Sequence, residues 1–548
     1  MRGSGYRVAI VAVMMVVATG SAIAATEKPA VPLTTNAEAQ EAYDLGEVAY
    51  DKDDYKAATG HYTRAIEQDP AFAEAWYSRG WSQRGTDDED KAISDFSEAI
   101  KLRPGYADAF RGRGWVHLSR KDYATAITDF TKAISLDPKD ARNAYGRGYA
   151  RAEAGQHQGA VDDFTQALKI DPEFDEALYE RAWIHKENLK QLDKALADFS
   201  RAIAIDAKVA NYFHGRAQVY DDQGKWELAI RDYTEAIRIE PAGINAYIGR
   251  GWDQVELGKF AEALRDFNKA VELDPEWFRP FYGRGYTHDE MGNFDAAIAD
   301  FNESIRLKPD DRLSFRMRAI SYWKKKDYLR AEADFTESIR LGAADANIYF
   351  NRGSVRADAG KAQEAFKDLT EAIRLKSDYH EAFNDRGVIH AAAGRYAEAL
   401  TDYDEALRLA PRTWMYHVNR AETLVMLQRI DEAMKDLEPA IAADPRDARA
   451  LLWRGICQLG KNRLDLAISD LSASIALAPD AWRAYNARGR VRAQQGDWLA
   501  AITDYTDAIR LAPDEPYPYA NRAKAYSSLG EFEKAREDDA KAKSLNDE

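Results

Sequence analysis

Trp81, Trp115, Trp183 and Trp252 recur in phase along the first half of the chain, and Tyr149 and Tyr286 continue the series. Tyr77, Tyr145, Tyr179 and Tyr282 stand four residues ahead of members of that series, and Glu153, Glu187, Glu256 and Glu290 four residues behind, with Asp222 in the same phase. On a helix, residues four apart share a face. Rings and carboxylates on one face make a cation-binding surface: aromatic faces attract ammonium and guanidinium groups, and carboxylates add charge. Tyrosine and tryptophan also give rigid contact area at low entropic cost. The sequence leaves two roles open for the rings, lining a partner site or packing between neighbouring helices.

A second set pairs arginine with aspartate. Arg79 and Asp95, Arg113 and Asp129, and Arg250 and Asp266 each stand sixteen residues apart, and fourteen such pairs recur, Arg181 and Asp198 being seventeen apart. Where the series would begin, Leu45 and His61 replace both partners together. Joint loss predicts that the two touch, and that pairing runs within one unit, since pairing across units would leave Asp538 without a partner. The expected role is an ion pair clamping two helices. An arginine ladder for ligand binding is the alternative.

Nothing here looks catalytic. The nine histidines are scattered, and His117, His185, His288 and His390 share a phase suited to a helix edge. There is no phosphate-cradling glycine loop, HExxH or GxSxG motif. The acidic stretches 51–54 and 87–90 lack the twelve-residue calcium pattern. We therefore expect no catalytic residue, no metal and no cofactor. The lone Cys457 can form no intrachain disulfide and reads as a buried, inert thiol.

The elements that carry these residues repeat. From Ala39 almost to the end, a unit of about 34 residues recurs fifteen times; one copy is AEAWYSRGWSQRGTDDEDKAISDFSEAIKLRPGY, Ala73 to Tyr106. Counting Ala73 as position 1, the series above are positions 9, 5 and 13, and the arginine and aspartate are positions 7 and 23. Apolar and small residues at helical spacing form two blocks per unit, hence two antiparallel helices. Pairs such as Gly292-Asn293 and Gly496-Asp497 break them apart, and Leu-x-Pro closes the second. Small residues such as Gly114, Ala126 and Ala133 let backbones approach, with Phe110 and Phe130 filling the gaps. The copy from Asp175 carries one extra residue within HKENLKQLDKA. The last copy, GEFEKAREDDAKAKSLNDE, is charged as a terminal capping helix must be.

Residues 39–548 resemble the tetratricopeptide repeat family, on Trp76, Gly80, Ala92, Phe96, Ala99, Pro104 and their equivalents in each copy. The resemblance implies an all-α, right-handed superhelical solenoid of about fifteen helix-turn-helix units. It further implies that first helices line a concave groove through positions 2, 5, 9, 12 and 13, and that the activity is binding other proteins. Arginine at position 7, where the family commonly has leucine, is similar to many bacterial members. The groove residues then expected to bind a partner are Tyr77, Trp81, Trp115, Tyr145, Tyr149, Trp183, Trp252, Tyr286, Glu187 and Glu256. The aromatics stop after Tyr286: position 9 continues as Ile320, Ser354, Val388 and Glu422. No copy supplies a Lys/Asn pair at positions 5 and 9, so capture of a C-terminal carboxylate is not expected.

At the N-terminus, Arg2 and Arg7 precede the apolar run Val8 to Ala18 and an Ala22-Ile23-Ala24-Ala25 end. This is the pattern of a secretory signal over 1–25, followed by a linker over 26–38. Export to the periplasm or medium is expected; an uncleaved N-terminal anchor is the alternative. No later stretch is apolar enough for a membrane span. The net charge of -16 disfavours nucleic acid. The expected function is a scaffold or adaptor of the bacterial cell envelope that binds an extended basic peptide. Envelope glycan stacked on the rings is the alternative.

Overall fold

The structure is a computed structural model and describes residues 33–342 and 345–547. The signal over 1–25 and most of the linker lie outside the described residues. Among them are thirty α-helices and one short π-helix, and no strand. They pair as helical hairpins, usually 13 residues then 14, as in Ala107–Ser119 and Tyr123–Leu136. The chain divides into two compact units, Met1–Thr287 and His288–Glu548.

Local chemistry explains each hairpin. The first helix of the array begins at Ala37, two residues before the repeat's expected start, because the Asn36 side chain accepts the N–H groups of Glu38 and Ala39. Between the helices of every repeat, position 15 takes a left-handed conformation, with φ from 53° at Lys190 to 83° at Gly496. Glycine fills that position in eight copies. Asp53, Asp87, Lys121, Lys190, Lys326, Gln428 and Asn462 occupy it in the others, at a steric cost glycine avoids. Most second helices end at a residue held extended before a proline, as Asp137 before Pro138, with φ −131° and ψ 89°; Asp206 and Lys376 take the same conformation without one.

The second helix Tyr123–Leu136 buries Ala126, Asp129, Phe130 and Ala133, one stripe at i, i+3, i+4 and i+7. Phe130 is the wedge of its repeat. A Cβ on Gly114, at position 8 of the same repeat, would lie 3.2 Å from its ring, and one on Gly146, at position 6 of the next, 2.4 Å away. Phe96, Phe199, Tyr233 and Phe267 face Gly112, Gly215, Gly249 and Gly283 likewise. Position 6 is thus a close-packing position that the helical periodicity alone did not reveal. The core is a chain of such wedges, each shared by adjacent repeats.

Repeat five departs from this regularity. Its extra residue does not lengthen the interhelix turn. It is absorbed at the end of the first helix, where Asp175–Trp183 runs into a π-helix, Ile184–Asn188.

In the second unit the same hairpins recur with a more polar first-helix face. Asn419 donates to Asn384 Oδ1 at 2.9 Å, and Arg449 donates to Asn419 Oδ1 at 3.0 Å. The final helix, Phe532–Asp547, buries Ala535, Asp538 and Ala542 and is otherwise largely exposed and charged.

Candidate functional site

The arginine–aspartate pairs form within repeats. Arg250 donates from Nε and Nη2 to the two Asp266 oxygens at 2.8 and 2.7 Å. Arg79 and Asp95 make the same fork at 2.7 and 2.8 Å, and Arg113 and Asp129 at 2.9 and 2.8 Å. The third nitrogen reaches back to the preceding repeat: Arg79 Nη1 donates to Thr63 Oγ1 at 3.1 Å, Arg113 to Ser97 at 3.0 Å, and Arg250 to Thr234 at 3.0 Å. The guanidinium groups of Arg79, Arg113 and Arg250 also lie over the position-4 rings one turn earlier, as Arg113 over Phe110 at 5.6 Å. One side chain therefore clamps its own hairpin and fastens it to the previous one. Ser, Thr or Asn at position 25 is the sequence signal for that second contact. The carboxyl of Asp95 is raised from its ordinary value, because burial outweighs the Arg79 bonds.

Position 11 adds a second donor to the same carboxylate. Arg151 meets Asp163 at 2.8 Å and Arg492 meets Asp504 at 2.9 Å, whereas His390 stands 3.8 Å from Asp402, beyond hydrogen-bond reach. Burial lowers the His390 pKa. Among the described residues, no group of three or more His, Cys, Asp or Glu side chains could hold a metal ion.

The aromatic series lies on the first helices. Trp81 meets Phe96 edge to face at 5.6 Å, Trp115 meets Phe130 at 5.4 Å, Trp183 meets Phe199 at 5.6 Å, and Trp252 meets Phe267 at 5.5 Å. Such pairs contribute about 0.5–1.5 kcal/mol each beyond their buried area. Neighbouring rings extend the series: Tyr149 lies 5.9 Å from Trp115 and Tyr286 5.3 Å from Trp252. Tyr77 packs on Tyr106 at 5.2 Å, and Tyr145 on Phe174 at 4.9 Å. Trp81 is 9% exposed and offers least surface. Trp115, Tyr149, Trp183, Trp252 and Tyr286 are half-buried, so each both packs and keeps some exposed surface.

The carboxylates differ. Glu153 and Glu256 are exposed, whereas Glu187 lies in the π-helix, half-buried and ion-paired to Lys186. Two acids at position 6 depart from their repeats. Burial, then Glu153, pushes the Glu180 carboxyl up to about 7. Burial pushes Asp385 up to about 6. In the sequence, Glu180 stands where repeats three, four, six, seven and eight carry Gly112, Gly146, Gly215, Gly249 and Gly283. That contrast was available, but its meaning depends on the wedge packing.

The repeat architecture is that of a recognised family. Tetratricopeptide repeat profiles match residues 43–107, 80–141, 145–210, 248–312, 316–380 and 418–481, 380–413, 210–242 and 489–530. The chain belongs to the tetratricopeptide repeat family, whose members serve as scaffolds for protein–protein interaction. Among solved structures it is similar to the Cut9–Hcn1 hetero-tetramer of APC/C, at 16% identity and a TM-score of 0.42, covering 83% of this chain and 96% of that one. It is also similar to a tetratricopeptide repeat protein from Parabacteroides merdae, at 22% identity and a TM-score of 0.39, covering 46% and 98%. A third is YrrB, described as having an unusual peptide-binding site, at 22% identity and a TM-score of 0.29, covering 34% and 95%. No curated protein matches the chain.

Proposed function

We propose that the chain is an exported adaptor that holds an extended, basic segment of a partner protein along the first-helix face between Tyr77 and Tyr286. The observation that carries this reading is the half-buried aromatic strip with its acidic margin. Trp115, Trp183 and Trp252 are braced by Phe130, Phe199 and Phe267, and Tyr149 by Trp115 and Tyr145, so their exposed surfaces are held rigid before any ligand arrives. Glu153, Glu187, Asp222 and Glu256 follow the same face and favour lysine and arginine. Export rests on the pattern over residues 1–25, and an envelope setting follows from it.

The test uses the mature chain and a fluorescein-labelled peptide of alternating lysine and alanine, with an alternating glutamate peptide and soluble envelope glycan as further arms. Binding is read by anisotropy and by tryptophan fluorescence. Saturable binding of the lysine peptide, lost in the Trp115→Ala/Trp183→Ala double variant with its helical circular dichroism intact, supports the reading. Equal binding by the double variant overturns it. Preference for glycan would assign the rings to sugar stacking instead.

A further inference from the structure

The last two repeats reverse the charge of the first-helix face. Position 9, an aromatic ring through most of the first unit, becomes Arg490 and then Lys524, and position 2 of repeat fourteen is Arg483. Position 13, acidic at Glu153, Glu187, Asp222 and Glu256, becomes Gln494 and Ser528. Cations thus stand where the acidic margin has ended.

Arg483, Asn486 and Arg490 are spaced i, i+3 and i+7 on the helix Trp482–Gln494, so they form one stripe. On the next first helix, Pro516–Ser528, Asn521 donates from Nδ2 to Asn486 Oδ1 at 2.9 Å. That bond joins the two helices in the middle of the stripe, and one turn further along them stand Arg490 and Lys524. Arg483 lies over the Trp482 ring, 5.0 Å from its centre. Arg483, Arg490 and Lys524 are all exposed, and among the described residues none of the three forms an ion pair. Exposed arginines on the second helices are held differently: Arg510 pairs with Asp507 at 3.3 Å, and Arg408 donates from Nε to Glu405 at 2.8 Å. The three cations therefore keep their full charge for an incoming anion.

The stripe is also short. Position 9 of repeat twelve is Glu422, which accepts from Arg449 at 2.9 Å, and the chain as a whole carries a net charge of -16. A long polyanion overruns the three cations and meets acids, whereas a few carboxylates in a row match them.

We propose that Arg483, Arg490 and Lys524 dock a short aspartate- and glutamate-rich segment of a protein partner. This surface belongs to the second unit and does not depend on the basic-peptide reading of the first.

The test uses the mature chain and a fluorescein-labelled, C-terminally amidated peptide of alternating glutamate and alanine, read by anisotropy at low salt. The variants are Arg490→Gln/Lys524→Gln and, as control, Lys435→Gln, an exposed cation on the second helix of repeat twelve. Wild type is expected to bind saturably and the double glutamine variant about tenfold more weakly, the order that two exposed ion pairs supply. Lys435→Gln and Trp115→Ala/Trp183→Ala are expected to match wild type. Equal binding by the double glutamine variant, or no binding by wild type, overturns the proposal. Preference for heparin over the peptide overturns it in favour of a polyanion site. A wild-type dimer in sedimentation that the double glutamine variant dissociates overturns it in favour of a second copy. A wild type that binds the glutamate peptide through these cations and ignores the lysine peptide supports this surface and refutes the basic-peptide reading alone.

Discussion

The Arg250 clamp supports a quantitative prediction. Arg250 makes two charge-assisted bonds to Asp266 at 2.7 and 2.8 Å, one bond to Thr234 at 3.0 Å, and lies 5.8 Å from the Tyr247 ring centre. Asp266 is 6% exposed. Arg250→Ala leaves that carboxylate buried without its cation, a change that costs about 3–5 kcal/mol when water cannot enter. The Arg250 side chain is 18% exposed, so its removal opens a path for water, and we expect the lower end, about 3 kcal/mol. Asp266→Ala is milder, at about 2 kcal/mol, because the guanidinium keeps Thr234, the Tyr247 face and solvent. The double variant should cost about 3 kcal/mol rather than the sum, a coupling of about 2 kcal/mol. Thr234→Val removes the bond from Arg250 and the hydroxyl's own bond to the Ile230 carbonyl, together about 1 kcal/mol. The assay is urea unfolding followed by far-UV circular dichroism. Because a repeat array can unfold in parts, hydrogen exchange on Ile244–Glu256 and Phe260–Leu273 accompanies it. Additive single and double effects would refute the clamp.

Other consequences are as specific. Gly146→Ala drives a methyl group to 2.4 Å from the Phe130 ring and should cost about 1–3 kcal/mol, whereas Gly155→Ala meets open space but a φ of +75° and should cost about 1 kcal/mol; equal thermal stability of Gly146→Ala and wild type would count against the wedge. His417 places Nδ1 3.0 Å from Asp436 Oδ1 and Nε2 3.0 Å from the Pro411 carbonyl, so only the doubly protonated ring satisfies both acceptors, and its pKa is raised chiefly by the Asp436 bond, against burial and the Arg420 charge. A raised histidine contributes stability fully below its unfolded pKa and loses it as pH rises through the folded value; His417→Gln should therefore flatten the stability profile on the alkaline side of pH 6.5, and an unchanged profile refutes the assignment. Burial pushes the Cys457 thiol up to about 11, so the native protein should not react with a thiol reagent at pH 8 and should react fully in urea.

Much of the fold was legible because a repeat states the same physics many times. The Leu-x-Pro stop, the glycine turns and the paired absence of arginine and aspartate from the first copy each point to one local answer. Helical hairpins and the within-repeat pairing follow from those residues alone. The position-9 break after Tyr286 was equally plain in the sequence. Whether the rings were packed or presented was not, because both roles use the same residues at the same spacing. The structure answers with both: Trp115 and Trp183 pack on Phe130 and Phe199 and remain half-buried.

By itself, then, the sequence determined the repeat, the helices, their caps and the composition of the first-helix face, since these depend on residue type and spacing along a few turns. Tertiary structure decided what depends on the neighbouring repeat. It gave the third nitrogen of most of these arginines to the previous hairpin, made position 6 a contact with the preceding wedge, and turned one extra residue into a π-helix that buries Lys186. A side chain's register is written in its own helix, but its counter-ion and its burial come from the repeat beside it.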